Sequence, residues 1–289
     1  SRAAYEAWCG MRFPPPPEVF TDFADFDHYL LVTLAKPYEA LSGLERAAFF
    51  HFFFENTLET AIRDGVVLIE PSLDSSLVSL YDGDYIHMID DIQSVIDLVC
   101  TRNPQSNIVV RPELGMAKGI PLESLEAWVP AGIETGFFTS IDLYGDERKG
   151  EDADYVPFYR LARERGMRLK AHAGELRGAD AVRRAVELFD LDAVQHGISA
   201  VEDPGLLDCL AQRGTVLNIC PTSNVRLGRA PSIASHPIAR ISRAGVAVTV
   251  NSDDIVIFDH SLSGEYLDLY REGVLSAGEL DEIRLRSLL

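Results

Sequence analysis

The stretch Leu169-Lys170-Ala171-His172-Ala173-Gly174-Glu175 joins a short apolar segment to a histidine, a glycine and a glutamate. Comparable apolar segments recur along the chain, and several are apolar over their whole length, as is typical of parallel strands covered on both faces. The predicted strands cover residues 66–69, 108–110, 137–141, 169–171, 193–195, 215–219 and 246–250. Repeated strands with helical patterns between them predict an α/β fold.

The segment 179–189 illustrates the helical pattern between strands. Its apolar residues Val182, Ala185, Val186 and Phe189 recur at the spacing of one helix face. Two architectures suit such alternation, an open doubly wound sheet and a closed barrel. In a barrel every strand delivers its carboxyl end to one mouth, and here at least four predicted strands end in polar motifs. The sequence therefore favours a (β/α)8 TIM-type barrel, with seven of its eight strands predicted.

Composition limits the classes of function. The 289 residues, 47% of them hydrophobic, suffice for one large domain spanning residues 1–289. The net charge of −19 disfavours binding to a nucleic-acid backbone, so any nucleotide ligand would be small. The four cysteines are far apart and show no C-x-x-C spacing, which predicts neither disulfides nor a thiolate zinc site. The absence of a long apolar run or signal peptide predicts a cytoplasmic protein without a membrane span.

Two predicted strands end in a histidine followed by a glycine within two residues. His172 is a candidate metal ligand, and Glu175, after a glycine that permits a tight turn, is a candidate proton donor. The structural alternative is a hydrogen-bonded core histidine with Glu175 capping the next helix. His196, followed directly by Gly197, repeats the arrangement on the next strand. Two such histidines favour a site, because a buried imidazole without partners costs stability.

Adjacent carboxylates follow the last predicted strand, at Asp253 and Asp254. Such a pair repels itself unless a cation or a shared proton holds both groups in one place, which indicates a metal. A solvated loop or a helix N-cap is the alternative. The apolar segment 255–258, directly after the pair, argues against a simple exposed turn.

Two further stretches, residues 142–147 and 220–224, also follow predicted strands. Taken alone, each is more typical of a loop than of a site. In the first, Gly145 would let a backbone N–H approach a planar ligand. In the second, Cys220 is not predicted to be a nucleophile, because nothing beside it in the sequence would lower the pKa of its thiol.

Six short motifs, taken in order, resemble those of the adenosine deaminase family of the amidohydrolase superfamily. They are Asp142-Leu143-Tyr144-Gly145-Asp146-Glu147, His172-Ala173-Gly174-Glu175, Gln195-His196-Gly197-Ile198, Cys220-Pro221-Thr222-Ser223-Asn224, His236-Pro237-Ile238 and Asn251-Ser252-Asp253-Asp254. The resemblance runs from about Phe20 to the end of the chain. It implies a zinc-dependent hydrolase of C–N bonds that deaminates adenosine or a related 6-aminopurine nucleoside.

The resemblance also implies roles for the residues. His172 and Asp253 would be zinc ligands, Glu175 would protonate the ring nitrogen next to the attacked carbon, and His196 would steady the attacking hydroxide. A carboxylic acid kept protonated in a water-poor pocket suits the role of Glu175. Zinc suits the activation of water, because it lowers the pKa of that water to about 7.

Substrate contacts follow from the same resemblance. Gly145 would offer its backbone N–H to a ring nitrogen, and Asp254 would contact the purine from the opposite edge. Tyr144 and Ile255 stand where the family commonly has a small residue and a proline, which indicates a bulkier or differently polar pocket.

Family members carry a His-x-His pair on the first barrel strand, and no H-x-H occurs in this sequence. We expect that strand upstream of Ser1, with both ends of the chain shortened and residues 3–9 forming the helix after the missing strand. Two alternatives to an adenosine deaminase stay open. One is a non-catalytic purine-binding or scaffold protein without the metal site, and the other is an amidohydrolase acting on a different aminated ring.

Overall fold

A parallel β-sheet forms the centre of the computed structural model, which describes residues 2–35, 41 and 43–288. The strands are β1 (Leu68–Ile69), β2 (Ser72–Asp74), β3 (Val109–Val110), β4 (Glu113–Ala117), β5 (Ser140–Tyr144), β6 (Arg168–Ala173), β7 (Ala193–His196), β8 (Val216–Ile219) and β9 (Val248–Val250). Over the described ranges, β2 and β4 to β9 form one seven-stranded sheet in chain order, and β1 pairs with β3. All pairings are parallel, so every strand ends at the same edge of the sheet.

Two predicted strands extend further than the sequence pattern indicated. The chain continues from β1 past Pro71 into β2, and from β3 past Pro112 into β4. Proline has no N–H to donate to a strand ladder, so the pairing breaks at both positions. The prediction over residues 137–141 also began too early, because β5 starts at Ser140.

Helices pack against the sheet. They are α1 (Arg2–Cys9), α2 (Phe23–Leu30), α3 (Gly43–Arg63), α4 (Tyr85–Arg102), α5 (Leu122–Glu134), α6 (Val156–Glu164), α7 (Ala179–Phe189), α8 (Pro204–Arg213), α9 (Pro221–Arg226), α10 (Ile238–Arg243), α11 (Ile255–Phe258), α12 (Leu262–Arg271) and α13 (Ala277–Arg286). The helix predicted over residues 179–189 is confirmed with the same limits, and residues 3–9 lie in α1. In the part of the chain that the structure describes, no helix is both long and apolar enough to cross a bilayer.

The amphipathic helix α7 helps to fix the position of β6. Its side chains Val182 and Val186 are almost completely buried, and burial of a side chain of this size contributes about 1.5–3 kcal/mol. At its end, the ring of Phe189 stacks on Tyr159 with centroids 4.2 Å apart. The hydroxyl of Tyr159 in turn donates to the carbonyl of Lys170, 2.6 Å away. This packing holds β6, the strand that carries His172.

The predicted fold class is confirmed as an α/β barrel of the (β/α)8 type. Among the described strands, β2 and β9 are the two edges of the seven-stranded sheet. Alternate residues of a strand face the same side, so Ser140, Asp142 and Tyr144 of β5 share one face. Each of these three side chains contacts a polar group on a neighbouring part of the sheet.

An ion cluster lies near the beginning of the strands, below the candidate site. The ammonium of Lys170 is 2% exposed and lies 2.7 Å from Glu113 Oε2 and 2.8 Å from Glu70 Oε2. Ser140 donates a further hydrogen bond to Glu113 Oε2, at 2.8 Å. Burial opposes the charge on Lys170, but the carboxylates of Glu113 and Glu70 outweigh burial and raise its pKa.

Candidate active site

Four of the predicted site residues meet at the carboxyl end of the sheet. The rings of His172 and His196 have centroids 5.1 Å apart. His196 Nδ1 lies 3.5 Å from Glu175 Oε1, and its Nε2 lies 3.9 Å from Asp253 Oδ2. The strand ends of β6 and β7 supply the two histidines, while the loops after β6 and β9 supply the two carboxyl groups. Residues far apart in sequence therefore form one polar cluster.

The two predicted substrate-binding residues lie at the ends of β5 and β9. Gly145 follows β5 with a φ of +94°, a backbone conformation that favours glycine. Asp254 is exposed and occupies the N-cap position of α11, yet its side chain makes no capping hydrogen bond. Its backbone N–H bonds instead to Asp253 Oδ1 at 2.9 Å. Substrate contact by either residue stays a prediction.

A carboxylate orients the ring of His172. Its Nδ1 lies 3.1 Å and 3.3 Å from the two oxygens of Asp142, which leaves Nε2 as the nitrogen that can bind a ligand. Carboxylate–histidine pairs of this kind orient metal-binding imidazoles. Burial opposes the charge on His172, but Asp142 outweighs burial and raises the pKa to about 10. Metal binding would therefore displace a proton from this ring.

Glu175 is suited to donate a proton near neutral pH. The residue is 8% exposed, and its Oε1 has no hydrogen-bond partner among the described atoms. Burial, followed by the charge of Asp253, raises its pKa to about 8. Both causes disfavour the charged form, so the carboxyl group holds its proton at neutral pH.

Glu147 fixes the loop that carries Glu175, although its position in the sequence predicted no role for it. The buried carboxylate of Glu147 accepts three consecutive backbone N–H groups, from Gly174 at 2.9 Å and from Glu175 and Leu176 at 2.8 Å each. Gly174 has a φ of +72°, and a Cβ there would lie 2.2 Å from Val182. The loop therefore has little freedom to move Glu175 out of the pocket.

His196 closes the strand β7 in a left-handed conformation. Its φ is +61°, and that of Gly197 is +64°. Such a backbone costs a non-glycine residue about 1–3 kcal/mol and often occurs at functional sites. Burial lowers the pKa of His196 to about 4, so the ring is neutral near pH 7. Asn224 lies behind it, with Nδ2 at 3.1 Å from His196 Nδ1.

Cys220 lies closer to the cluster than its position in the sequence indicated. One ligand atom each from His196, Cys220 and Asp253 lies within 4.8 Å of the others. Burial raises the pKa of the thiol well above its ordinary value, and Asp253 and Glu265 raise it further. This agrees with the prediction that Cys220 is not a nucleophile. All four cysteines are free in the structure.

The donor types in this cluster fit a divalent transition metal. Imidazole and carboxylate groups are ligands that zinc takes in proteins. His172 has one nitrogen held by Asp142 and the other available, and Asp253 Oδ2 lies 3.9 Å from His196 Nε2. Cys220 follows β8 directly, and the parallel pairing of β8 with β9 brings it near the loop that carries Asp253.

Tyr144 lies across the sheet at the mouth of the barrel. Its hydroxyl donates a hydrogen bond to Asp74 at the end of β2, passing over Gly115 of the intervening strand β4. A Cβ on Gly115 would lie 2.8 Å from the tyrosine ring. The ring centroid of Tyr144 is 6.1 Å from that of His172, so the phenol borders the polar cluster.

Comparison with known proteins shows the family of the chain. The family model described as adenosine deaminase matches residues 15–288. A Treponema pallidum (strain Nichols) protein with the provisional name adenosine/adenine deaminase is 31% identical over 285 residues, which are 99% of this chain and 90% of that protein.

Two solved structures share the fold. Adenine deaminase from Arthrobacter aurescens has a TM-score of 0.71 and 21% identity, covering 100% of this chain and 94% of its own. An amidohydrolase from Burkholderia ambifaria with bound zinc has a TM-score of 0.69 and 21% identity, covering 82% and 66% respectively. The family model and the Treponema relative extend over almost the whole chain. The chain therefore belongs to the adenosine deaminase family, whose members are hydrolases acting on C–N bonds.

Proposed function

We propose that the protein hydrolyses the exocyclic amine of a 6-aminopurine, either adenosine or a related nucleoside or the free base adenine. In this reaction the oxygen of water bonds to the ring carbon, and the C–N bond breaks to release ammonia. The convergence of Glu175, His196, His172 and Asp253 carries the proposal. The provisional name of the Treponema relative and the name of the Arthrobacter structure support a purine with a 6-amino group.

Glu175 and His196 would divide the work of catalysis. The protonated carboxyl of Glu175 would donate to a purine ring nitrogen, which makes the neighbouring carbon more electrophilic. The neutral ring of His196 would hold the attacking oxygen in place. Glu147, through its three backbone contacts, would keep Glu175 in position.

His172 and Asp253 would hold zinc, and further ligands would have to join them, since structural and catalytic zinc sites use three or four protein groups. Bound zinc would supply a Lewis acid that lowers the pKa of water to about 7. Gly145 and Asp254 would bind the purine ring. We also propose that residues 1–289 act as one domain and that the protein works in the cytoplasm.

The test measures zinc content and ammonia release together on the full-length protein, with adenosine and adenine as separate substrates. Replacement of the acid by Glu175→Gln should lower kcat by at least about 100-fold. Glu187→Gln, an exposed carboxylate on α7, is the matched control and should change kcat less than about twofold. Unchanged turnover in Glu175→Gln would refute the acid role, and absence of turnover with both purines would refute the proposed function.

A further inference from the structure

A row of buried polar groups ends at Nδ1 of His196. Asn224, His236 and His196 are respectively 0%, 4% and 3% exposed. The backbone N–H of Ile238 lies 3.2 Å from His236 Nδ1, and His236 Nε2 lies 3.3 Å from Asn224 Oδ1. Asn224 Nδ2 completes the row at 3.1 Å from His196 Nδ1. The sequence motifs that contain Asn224 and His236 have no role in the function proposed above.

The direction of these hydrogen bonds follows from the backbone group at one end. The N–H of Ile238 can only donate, so His236 Nδ1 must accept and carry no proton. Burial lowers the pKa of His236 to about 4, so the ring is neutral and its single proton is on Nε2. That proton is donated to an oxygen, which fixes Oδ1 of Asn224 toward His236. The amide nitrogen of Asn224 then faces His196.

The amide of Asn224 fixes the protonation of His196 in the same way. An amide nitrogen donates and does not accept, so Nδ1 of His196 must be the unprotonated nitrogen. A ring whose Nδ1 accepts a hydrogen bond carries its single proton on Nε2, the nitrogen on the side of Asp253. One fixed backbone donor at the start of α10 thus determines the protonation pattern of a ring in the active site.

We propose that Asn224 and His236 are positioning residues that hold His196 as its neutral Nε2–H tautomer, so that His196 presents a hydrogen-bond donor to the pocket. The consequence for catalysis rests on the proposed deaminase function. With Nε2 already protonated, His196 does not take a proton from water at that atom. It acts by donating a hydrogen bond from Nε2–H to the attacking oxygen. Because Asn224 and His236 already hold this N–H in place, the ring need not reorganise during the reaction.

Nitrogen-15 NMR of histidine-labelled full-length protein reads the tautomer directly. The two ring nitrogens of a neutral histidine have different chemical shifts, and a His196→Asn variant identifies the signals of His196. We expect a protonated Nε2 and an unprotonated Nδ1 in the wild-type protein at pH 7. A wild-type ring that is protonated at Nδ1 would overturn the proposal without reference to any activity.

The variant Asn224→Asp replaces the amide donor that faces His196 Nδ1 with an acceptor, and the side chain keeps almost the same shape. A carboxylate accepts, so Nδ1 of His196 should become protonated. We expect kcat to fall at least about tenfold while KM changes less than about threefold, since the lost interaction belongs to the transition state. An unprotonated Nδ1 in this variant, or an unchanged kcat in an active enzyme, would overturn the proposal.

The matched control is Asn103→Asp. The amide nitrogen of Asn103 also donates to side-chain and backbone acceptors, Glu59 Oε1 at 3.1 Å and the Val99 carbonyl at 2.9 Å, but Asn103 lies at the end of α4. The Asn103→Asp variant should leave the His196 spectrum and kcat unchanged. An effect equal to that of Asn224→Asp would overturn the proposal. If the wild-type protein deaminates neither purine, the proposed function fails, while the NMR spectrum still decides the tautomer.

Discussion

Removal of the charge on Lys170 should destabilise the protein strongly. Lys170→Met keeps the length of the side chain but leaves the carboxylate of Glu113, which is 1% exposed, without its counterion. Loss of one partner from a buried ion pair costs about 3–5 kcal/mol, because an uncompensated charge remains in the interior. Glu70 contributes less, since its side chain is 26% exposed and can be hydrated.

Urea denaturation followed by circular dichroism measures this loss as a change in the free energy of unfolding. The double variant Lys170→Met with Glu113→Gln removes the buried charge as well and should regain about 2 kcal/mol relative to the single variant. The control Arg284→Met breaks an exposed pair with Asp281, and it should cost less than about 1 kcal/mol.

Two results would refute this reasoning. One is a loss of less than about 1 kcal/mol in Lys170→Met, which would mean that water or a shift of Glu113 compensates the charge. The other is a further loss in the double variant, which would mean that the carboxylate of Glu113 stabilises the fold through contacts other than Lys170, such as the hydrogen bond from Ser140.

Three further predictions concern the active site. If Glu175 donates a proton with a pKa of about 8, the protonated form dominates below that pH, so kcat/KM should fall as pH rises through it; a flat alkaline profile would contradict this. Glu147→Gln places an amide NH2 where one carboxylate oxygen accepts from Gly174. It should lower kcat at least about tenfold, because Glu175 loses its fixed position. Hydrogen exchange at residues 174–176 should become faster, which is the second measurement. Tyr144→Ala removes the ring that lies over Gly115 and should raise the ratio of kcat/KM for adenosine to that for adenine at least about fivefold. An unchanged ratio would show that the phenol does not limit substrate size.

The sequence predicted the residues that stand directly after apolar strands. His172, Glu175, His196 and Asp253 could be found because parallel strands deliver their ends to one edge, and this rule needs no coordinates. The helix α7 was equally accessible, because its apolar spacing is set by its own helical period.

Contacts between distant strands could not be predicted in the same way. The pairing of Lys170 with Glu113 depends on the parallel register of the sheet, and the bond from Tyr144 to Asp74 depends on a glycine between them. The strands after Pro71 and Pro112 were missed because a proline normally ends a ladder. Asn224 and His236 were recognised as parts of motifs, but their effect on His196 follows only from the direction of hydrogen bonds in three dimensions.

Strand β5 carries three side chains with different contacts at three levels along the barrel. Ser140 bonds into the ion cluster, Asp142 orients His172, and Tyr144 borders the mouth. Successive members of this set are two residues, or about 6.6 Å, apart. If Tyr144 limits substrate size as predicted, a substitution there would change substrate choice while Ser140 and Asp142 keep their contacts. The position that borders the mouth is thus separate along the strand from the positions that contact the ion cluster and His172.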